Sequence, residues 1–136
     1  MMLKYIIVLL VTFAVCAAEY SLSQKNKLNE KGDHCHKELN LPLSVDYKQR
    51  AQAGDVTSDD STYKKYVACY MRQLDIVEES GRIKSQKLVD FLAEGRNRHL
   101  LKHTIDTCAD TVEGETADDL AFNFHVCFWT TKNFDM

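Results

Sequence analysis

The sequence predicts an all-α fold, a compact bundle of about six short helices. Apolar residues recur at the spacing of an amphipathic helix, most clearly at Tyr63, Tyr66, Val67, Tyr70, Met71 and Leu74. Helix breakers are rare, with one proline and five glycines among 136 residues, and strand-like alternation is rare as well. Because no repeat or low-complexity linker interrupts the chain, these helices are predicted to form one domain.

The first 18 residues have the pattern of a secretory signal peptide. Lys4 precedes an apolar run over residues 5–18, and the small residues Cys16 and Ala18 stand at the −3 and −1 positions before Glu19. A membrane anchor is the alternative, but this run is shorter than the ~20 residues of a membrane-spanning helix. We therefore expect cleavage after Ala18, which leaves one secreted helical domain over residues 19–136.

The first half of this domain is predicted to hold two helices. One runs from about residue 21 to residue 39, with a weak point or kink at Gly32. Pro42 ends that segment, and a short helix over residues 44–53 follows, with Gly54 as its C-terminal stop.

The second half is predicted to hold four more helices. The cap-type residues of "TSDDST" precede a helix that extends to about residue 77. Ser85 caps a short helix that Gly95 closes, and a further helix covers residues 97–112. The last helix covers residues 116–131 and is apolar nearly all round, so it is predicted to be buried on several sides.

The cysteines predict disulfides. Removal of Cys16 with the signal peptide leaves Cys35, Cys69, Cys108 and Cys127, an even number in a small secreted domain. A zinc site is disfavoured because no two of them form a CxxC pair. Four cysteines allow three pairings, and the spacing alone leaves the choice open.

Composition and motifs exclude several function classes. A net charge of −3 with mixed signs gives no basic track for nucleic acid and no patch for stable membrane association. No GxSxG motif, P-loop or dinucleotide-binding turn occurs. His99 and His103 lack the glutamate and third ligand of a zinc site, and the acidic pairs at residues 59–60 and 118–119 fit helix starts. We predict no enzyme, no metal and no cofactor.

Two segments resemble the insect odorant-binding protein family. "YKKYVACYMRQLDIVEESGRI" is similar to its third helix and the turn after it, and "TCADTVEGETADDLAFNFHVCFWTTK" to its fifth and sixth helices. The resemblance covers the whole domain, and it implies a helical bundle around an internal apolar cavity.

The cysteine pattern departs from the usual six of that family. Lys65 and Asp118 stand at two of the six places, so the chain resembles the four-cysteine type known as minus-C. The resemblance implies the pairs Cys35–Cys69 and Cys108–Cys127. The opposite charges of Lys65 and Asp118 suggest an ion pair in place of the absent disulfide, although separately solvated side chains are the favoured alternative.

The resemblance implies a secreted carrier that binds small hydrophobic molecules, such as odorants, pheromones or lipid-like compounds, in the cavity. The apolar candidates for the cavity wall are Leu28, Val67, Met71, Ile76, Val77, Leu88, Phe91, Leu92, Leu101, Ile105, Phe124, Phe128 and Trp129. Phe128, the aromatic residue after the last cysteine, is the strongest single candidate. Ordinary core packing is the alternative for each residue.

Polar groups in such a cavity would orient a ligand. Tyr66, Tyr70 and Thr104 are candidates for an orienting hydroxyl, and the sequence does not choose among them. His125 is the best-placed histidine for a pH response, since histidine titrates near neutral pH.

The alternative function is a secreted, disulfide-tied signalling or interaction protein with a filled core and an exposed apolar patch. For the carrier, the expected fluid is sensillum lymph, haemolymph or reproductive fluid, and a membrane receptor is a candidate partner besides the ligand.

Overall fold

The structure is a computed structural model that describes residues 20–132, and these residues form six α-helices. The helices are α1 (Leu22–Glu38), α2 (Tyr47–Gln52), α3 (Ser61–Gln73), α4 (Ser85–Leu92), α5 (Arg98–Thr111) and α6 (Ala117–Thr131). The prediction of an all-α bundle is confirmed. The signal peptide and its cleavage site lie outside the described residues. Within residues 20–132, no helix has the length and apolar character needed to cross a membrane.

Two predicted helix boundaries are wrong. α2 begins at Tyr47 and not at residue 44, because the Val45 N–H donates to the Pro42 carbonyl in a turn. α3 ends at Gln73 and not at residue 77, because the chain reverses at Asp75, whose φ is 59°. The reversed chain then makes an isolated antiparallel bridge between residues 77 and 83.

α1 is continuous through Gly32, so the break considered at that position is absent. The glycine allows other helices to approach closely. A Cβ atom at Gly32 would lie 2.8 Å from the Lys48 side chain and 2.9 Å from the Tyr66 hydroxyl. The missing side chain therefore lets α2 and α3 pack against the backbone of α1.

Side-chain caps fix the starts of four helices. Ser21 forms a capping box with Gln24 at α1, and Asp60, Asn97 and Thr116 accept backbone N–H groups at α3, α5 and α6. Each cap satisfies donors that have no partner inside the helix.

α3 lies at the centre of the bundle, where it packs against α1, α2 and α6. α6 also packs against α5, which in turn packs against α4. Tyr63, Tyr66 and Phe122 are completely buried at the α3–α6 interface and around it. α3 therefore connects α1 and α2 to α6, and α5 connects α6 to α4.

Both predicted disulfides are confirmed. Cys35–Cys69 joins α1 to α3 with a Cα–Cα distance of 5.9 Å, and Cys108–Cys127 joins α5 to α6 with a distance of 5.7 Å. All four cysteines of residues 20–132 are therefore paired.

The ion pair considered between Lys65 and Asp118 is wrong. Asp118 pairs with Arg72, and Lys64 pairs with Asp119 at 3.2 Å, while the Lys65 side chain is exposed. The lysine at the substituted cysteine position points to solvent, as the alternative predicted. Charge pairs still connect α3 to α6, but through neighbouring residues.

An apolar cavity as the candidate functional site

An apolar cavity of about 90 Å³ lies inside the bundle. α1, α2, α3, α4 and α6 all contribute to its wall, whereas α5 does not. The wall consists of Tyr20, Leu28, Ala51, Gln52, Val67, Tyr70, Met71, Leu74, Ile76, Leu88, Phe91, Leu92, Phe124, His125, Phe128 and Trp129. Almost all of this surface is hydrocarbon, aromatic ring or thioether, which suits an apolar ligand.

Most of the residues predicted for the cavity wall lie in it. They are Leu28, Val67, Met71, Ile76, Leu88, Phe91, Leu92, Phe124, Phe128 and Trp129. Phe128 is 4% exposed and stacks on Phe124, with ring centres 6.2 Å apart. That these side chains contact a ligand stays a prediction.

The structure places Val77, Leu101 and Ile105 elsewhere in the core. Leu101 and Ile105 lie on α5 and are completely buried, and Val77 forms the bridge with Ile83. The helical period identifies which face is buried, but it does not tell whether that face meets a void or another helix. These residues fit the alternative of ordinary core packing.

Sequence reasoning missed several wall residues. Leu74 was part of the apolar stripe on α3, so a signal for it was present. Tyr20, Ala51 and Gln52 lie before α1 or on the polar helix α2, and no periodicity marks them. Ala51 and Gln52 reach the cavity because the short α2 packs against α1 and α3.

Trp129 is held in the wall by a glycine. The Gly54 backbone has a φ of +81°, and a Cβ atom there would lie 2.2 Å from the Trp129 ring. The glycine therefore allows both the turn after α2 and the close approach of the indole. Trp129 also meets Phe128 edge to face, with ring centres 6.0 Å apart.

Tyr70 is the one member of the three candidate hydroxyl residues that lines the cavity. Its hydroxyl donates to the Leu28 carbonyl at 2.5 Å and accepts from Gln52 Nε2 at 3.1 Å. Burial raises the pKa of Tyr70, so the hydroxyl stays protonated. Tyr66 and Thr104 donate to backbone carbonyls outside the wall.

His125 is buried at the edge of the cavity, with 7% of its surface exposed. Its Nε2 lies 2.8 Å from the Asp55 carbonyl oxygen, which also accepts from the Tyr63 hydroxyl at 2.6 Å. Because a carbonyl can only accept, Nε2 carries the proton. Burial lowers the pKa of His125, and the Asp55 hydrogen bond and charge oppose that shift only in part.

The half-buried wall residues mark the mouth of the cavity: Tyr20, Ala51, Gln52, Phe91 and Trp129. A cationic side chain lies over each of three aromatic rings there, in cation–π geometry. The pairs are Lys27 over Phe91 at 5.4 Å, Arg96 over Tyr20 at 5.4 Å and Lys132 over Trp129 at 5.1 Å, measured to the ring centres. The mouth therefore combines apolar surface with positive charge.

Arg96 is the most enclosed of these cations. Its Nη1 donates to the carbonyls of Leu92 at 3.1 Å and Glu94 at 3.2 Å. Among residues 20–132, neither its Nε nor its Nη2 has an acceptor, although both atoms are buried. Its charge also limits the rise in the pKa of Tyr20, which burial raises to about 12.

Among residues 20–132, one further cluster has the donor types of a metal site. The sulfurs of Cys35 and Cys69 lie near the Glu38 carboxylate, but the disulfide between them leaves no thiolate to bind a metal. His99 and His103 are exposed on α5.

Comparison with known proteins agrees with the fold. The chain is 26% identical over 126 residues to odorant-binding protein 22 of Aedes aegypti, covering 93% of this chain and 89% of that protein. The structure of fatty acid binding protein OBP56a, from the oral disk of the blowfly Phormia regina, matches with a TM-score of 0.68 at 19% identity. That match covers 85% of this chain and 97% of the blowfly chain.

Odorant-binding protein dmelOBP28a from Drosophila melanogaster matches with a TM-score of 0.65 at 17% identity, covering 77% of this chain and 88% of the other. At such identities the two structural matches support the fold alone. The model of the PBP/GOBP family matches residues 17–131. The chain therefore belongs to the PBP/GOBP family, the insect odorant-binding proteins that its sequence resembles.

Proposed function

We propose that the protein is a secreted carrier for long-chain apolar molecules with an anionic head group, such as fatty acids. The observation that carries this proposal is the apolar cavity with three cations over the aromatic rings of its mouth. An apolar chain would lie inside, and a carboxylate would remain at the mouth.

The presence of a cavity favours the carrier function over the alternative, in which the protein acts through its surface. A surface-acting bundle would have a filled core and a contiguous exposed apolar patch. Among residues 20–132, the large apolar side chains that are exposed are Leu22 and Leu43, at 75% and 98%. Isolated leucines of this kind are ordinary on a protein surface.

The buried Nε and Nη2 of Arg96, which have no acceptor among residues 20–132, support an anionic head group. Nε and Nη2 of one guanidinium form a fork that matches the two oxygens of a carboxylate. Buried donors without acceptors are costly, so an incoming carboxylate would satisfy groups that lack a partner. The blowfly structure of similar fold bears the name of a fatty acid binding protein, which is consistent with this ligand class.

Secretion is part of the proposal. The pattern of residues 1–18 and the two disulfides are both typical of a protein that passes through an oxidising compartment. Transport of a ligand requires no catalysis, and a membrane receptor remains a candidate partner for delivery.

The test compares hexadecanoic acid with hexadecan-1-ol, each used to displace a fluorescent naphthylamine from the purified mature chain. We expect Arg96→Gln to weaken binding of the acid by roughly tenfold or more, because charge-assisted hydrogen bonds are lost. The alcohol should change by about twofold or less. Phe128→Ala should weaken both ligands, since it removes apolar wall.

Arg98→Gln is the matched control, because Arg98 is exposed and pairs with Asp90 at 2.5 Å, away from the cavity wall. It should leave both affinities unchanged. Absence of probe binding by the folded, disulfide-bonded wild type would refute the carrier. Equal losses for acid and alcohol in Arg96→Gln would refute the anionic head group.

A further inference from the structure

A second concavity of about 300 Å³ lies on the outside of the bundle, and we call it the outer groove. It is bounded by the turn after α3, the C-terminal end of α5 and the first half of α6. Its residues are Gly81, Arg82, Ile83, Ala109, Asp110, Thr111, Val112, Glu113, Leu120 and Phe124. Its exposed rim is polar and supplies more of its accessible surface than the apolar floor, which consists of Ile83, Ala109, Val112, Leu120 and Phe124.

Phe124 belongs to both spaces. Among the described residues, it is the one side chain that lines the internal cavity and the outer groove alike. It is 2% exposed, so almost none of its ring is accessible to solvent from either side. Its neighbour along α6 is Phe128, whose ring lies parallel to it within 12°.

We propose that Phe124 is a gate, and that the tail of a long ligand displaces its ring and extends into the outer groove. This inference rests on the carrier function proposed above. The cavity of about 90 Å³ is well below the ~300–1,000 Å³ of typical small-molecule sites. Joined through Phe124, the two spaces would reach that range.

Displacement of the ring breaks no hydrogen bond, because a phenyl group has none to lose. The ring can move by a change of rotamer, at the expense of its contact with Phe128. Phe122 on the same helix differs, since it is fully buried and packs edge to face against Tyr63. The part of α6 that faces the cavity is therefore the part that can adapt.

Charge favours the tail over the head group in the outer groove. Asp110 and Glu113 stand on its rim beside Arg82, so carboxylates outnumber cations there. The mouth of the cavity has the opposite character, with Lys27, Arg96 and Lys132 over its rings. A fatty acid would enter tail first and leave its carboxylate at the mouth.

The first test is direct contact. We would record intermolecular nuclear Overhauser effects between the terminal methyl of unlabelled fatty acids and the labelled methyl groups of the mature protein. Octadecanoate should give contacts from its terminal methyl to Ile83, Ala109 and Val112, whereas octanoate should contact only Met71 and Leu88. Octadecanoate contacts confined to the cavity methyl groups would overturn the gate and leave the carrier intact.

The second test fills the outer groove. Ala109→Phe adds a ring to the groove without touching the cavity wall, and Thr107→Phe adds the same ring at an exposed position of α5. Each buried methylene should strengthen binding about fourfold, so wild-type affinity should rise up to octadecanoate. Ala109→Phe should weaken octadecanoate at least tenfold and octanoate less than about twofold.

If affinity rose with fatty acid chain length equally in Ala109→Phe and in the Thr107→Phe control, the gate would be overturned. Failure of every chain length to bind folded wild-type protein would overturn the carrier function, and the gate with it. The contact measurement needs no variant, so it decides the matter even where Ala109→Phe does not fold.

Discussion

Two halves of the core are built by different means. One half is a tyrosine cluster formed by Tyr47, Tyr63, Tyr66 and Tyr70, whose neighbouring rings lie 5.3 to 5.7 Å apart. The other half is the cavity, whose wall consists mainly of aliphatic, thioether and phenyl groups. α3 supplies both halves from adjacent faces.

The tyrosine cluster is fixed by directional bonds. Each of its four hydroxyls donates a hydrogen bond. Tyr47 donates to Asp60 Oδ2 at 2.5 Å, and Tyr63 donates to the Asp55 carbonyl at 2.6 Å. Tyr66 donates to the Gly32 carbonyl at 3.0 Å, and Tyr70 donates to the Leu28 carbonyl at 2.5 Å. Each bond satisfies a group that would otherwise be buried without a partner. The cluster therefore has one preferred arrangement.

The cavity wall lacks such ties over most of its area. Packing of apolar groups is non-directional, so side chains such as Met71 and Phe124 can shift between arrangements of similar energy. The contrast teaches that the protein fixes one half of its core with hydrogen bonds and leaves the other half able to fit a ligand.

The largest expected effect comes from truncating one buried side chain in each half and comparing the losses in the free energy of unfolding. Tyr63→Ala should lower the free energy of unfolding by about 3–5 kcal/mol, because the completely buried ring leaves a void in a well-packed region. Met71→Ala should cost about 2 kcal/mol, the low end for such changes, because it only enlarges an existing cavity. Urea unfolding followed by circular dichroism measures both, and equal losses would contradict the contrast.

The disulfides offer the next comparison, since one joins α1 to α3 and the other joins α5 to α6. Replacing Cys35 and Cys69 by serine should cost about 3–4 kcal/mol, slightly more than replacing Cys108 and Cys127, because the bridged separation is 34 residues and not 19. The Cys108–Cys127 bond anchors α6 to α5, so its loss should weaken ligand binding more. A greater loss of affinity from the Cys35–Cys69 variant, at matched stability, would argue against an adaptable α6.

The sequence predicted the helices that form both halves of the core, but it did not show which of their residues pack solidly and which line the cavity. The stripe on α3 combines Tyr63, Val67 and Met71 without showing that the ring packs solidly and that the other two line a void. The period of the apolar residues indicates which face of a helix is buried, whereas a cavity depends on how separate helices fit together. Leu101 and Ile105 were assigned to the cavity for that reason, although α5 does not reach it.

The mouth of the cavity was the least predictable part. Tyr20 and Arg96 are 76 residues apart in the numbering of the chain and meet only in the folded bundle. The disulfide pairing came from the family resemblance, since four cysteines alone allow three pairings. Lys65 is exposed, as the favoured alternative predicted, whereas the pairing of Asp118 with Arg72 was not predicted.

A smaller effect is expected where a tyrosine of the cluster also lines the cavity. Tyr70→Phe removes the donor to the Leu28 carbonyl and the acceptor for Gln52 Nε2. It should lower the free energy of unfolding by about 1 kcal/mol, because the hydroxyl's hydrogen bonds are lost while the Leu28 carbonyl keeps its bond within α1. Tyr20→Phe is the matched control, since its hydroxyl bond is long at 3.4 Å, and it should cost less than about 0.5 kcal/mol. Equal costs would contradict the role of directional bonds.

The last effect is gradual and concerns His125, which lies where the two halves meet. Burial lowers its pKa from the ordinary 6.5, so the folded protein holds the imidazole neutral while the unfolded chain protonates. The contribution of His125 to the free energy of unfolding is therefore fully present above about pH 6.5. It is lost as the pH falls below that value, by at most about 1.4 kcal/mol per pH unit for one proton. Asp55 adds to the slope only below about pH 5, where the unfolded carboxyl begins to protonate. In the folded protein, hydrogen bonds from Thr57 and Arg50 lower its carboxyl pKa to about 2.

His125→Gln tests this contribution, because the amide can still donate to the Asp55 carbonyl but does not titrate. Between pH 6.5 and 5, the unfolding free energy of this variant should fall less steeply than that of the wild type. His99→Gln, at an exposed site on α5, should keep the wild-type slope. If wild type and His125→Gln had the same slope, the buried imidazole would protonate without loss of stability. The edge of the cavity would then have to hold water or another acceptor for the added proton, and the two halves would be separated by a polar boundary.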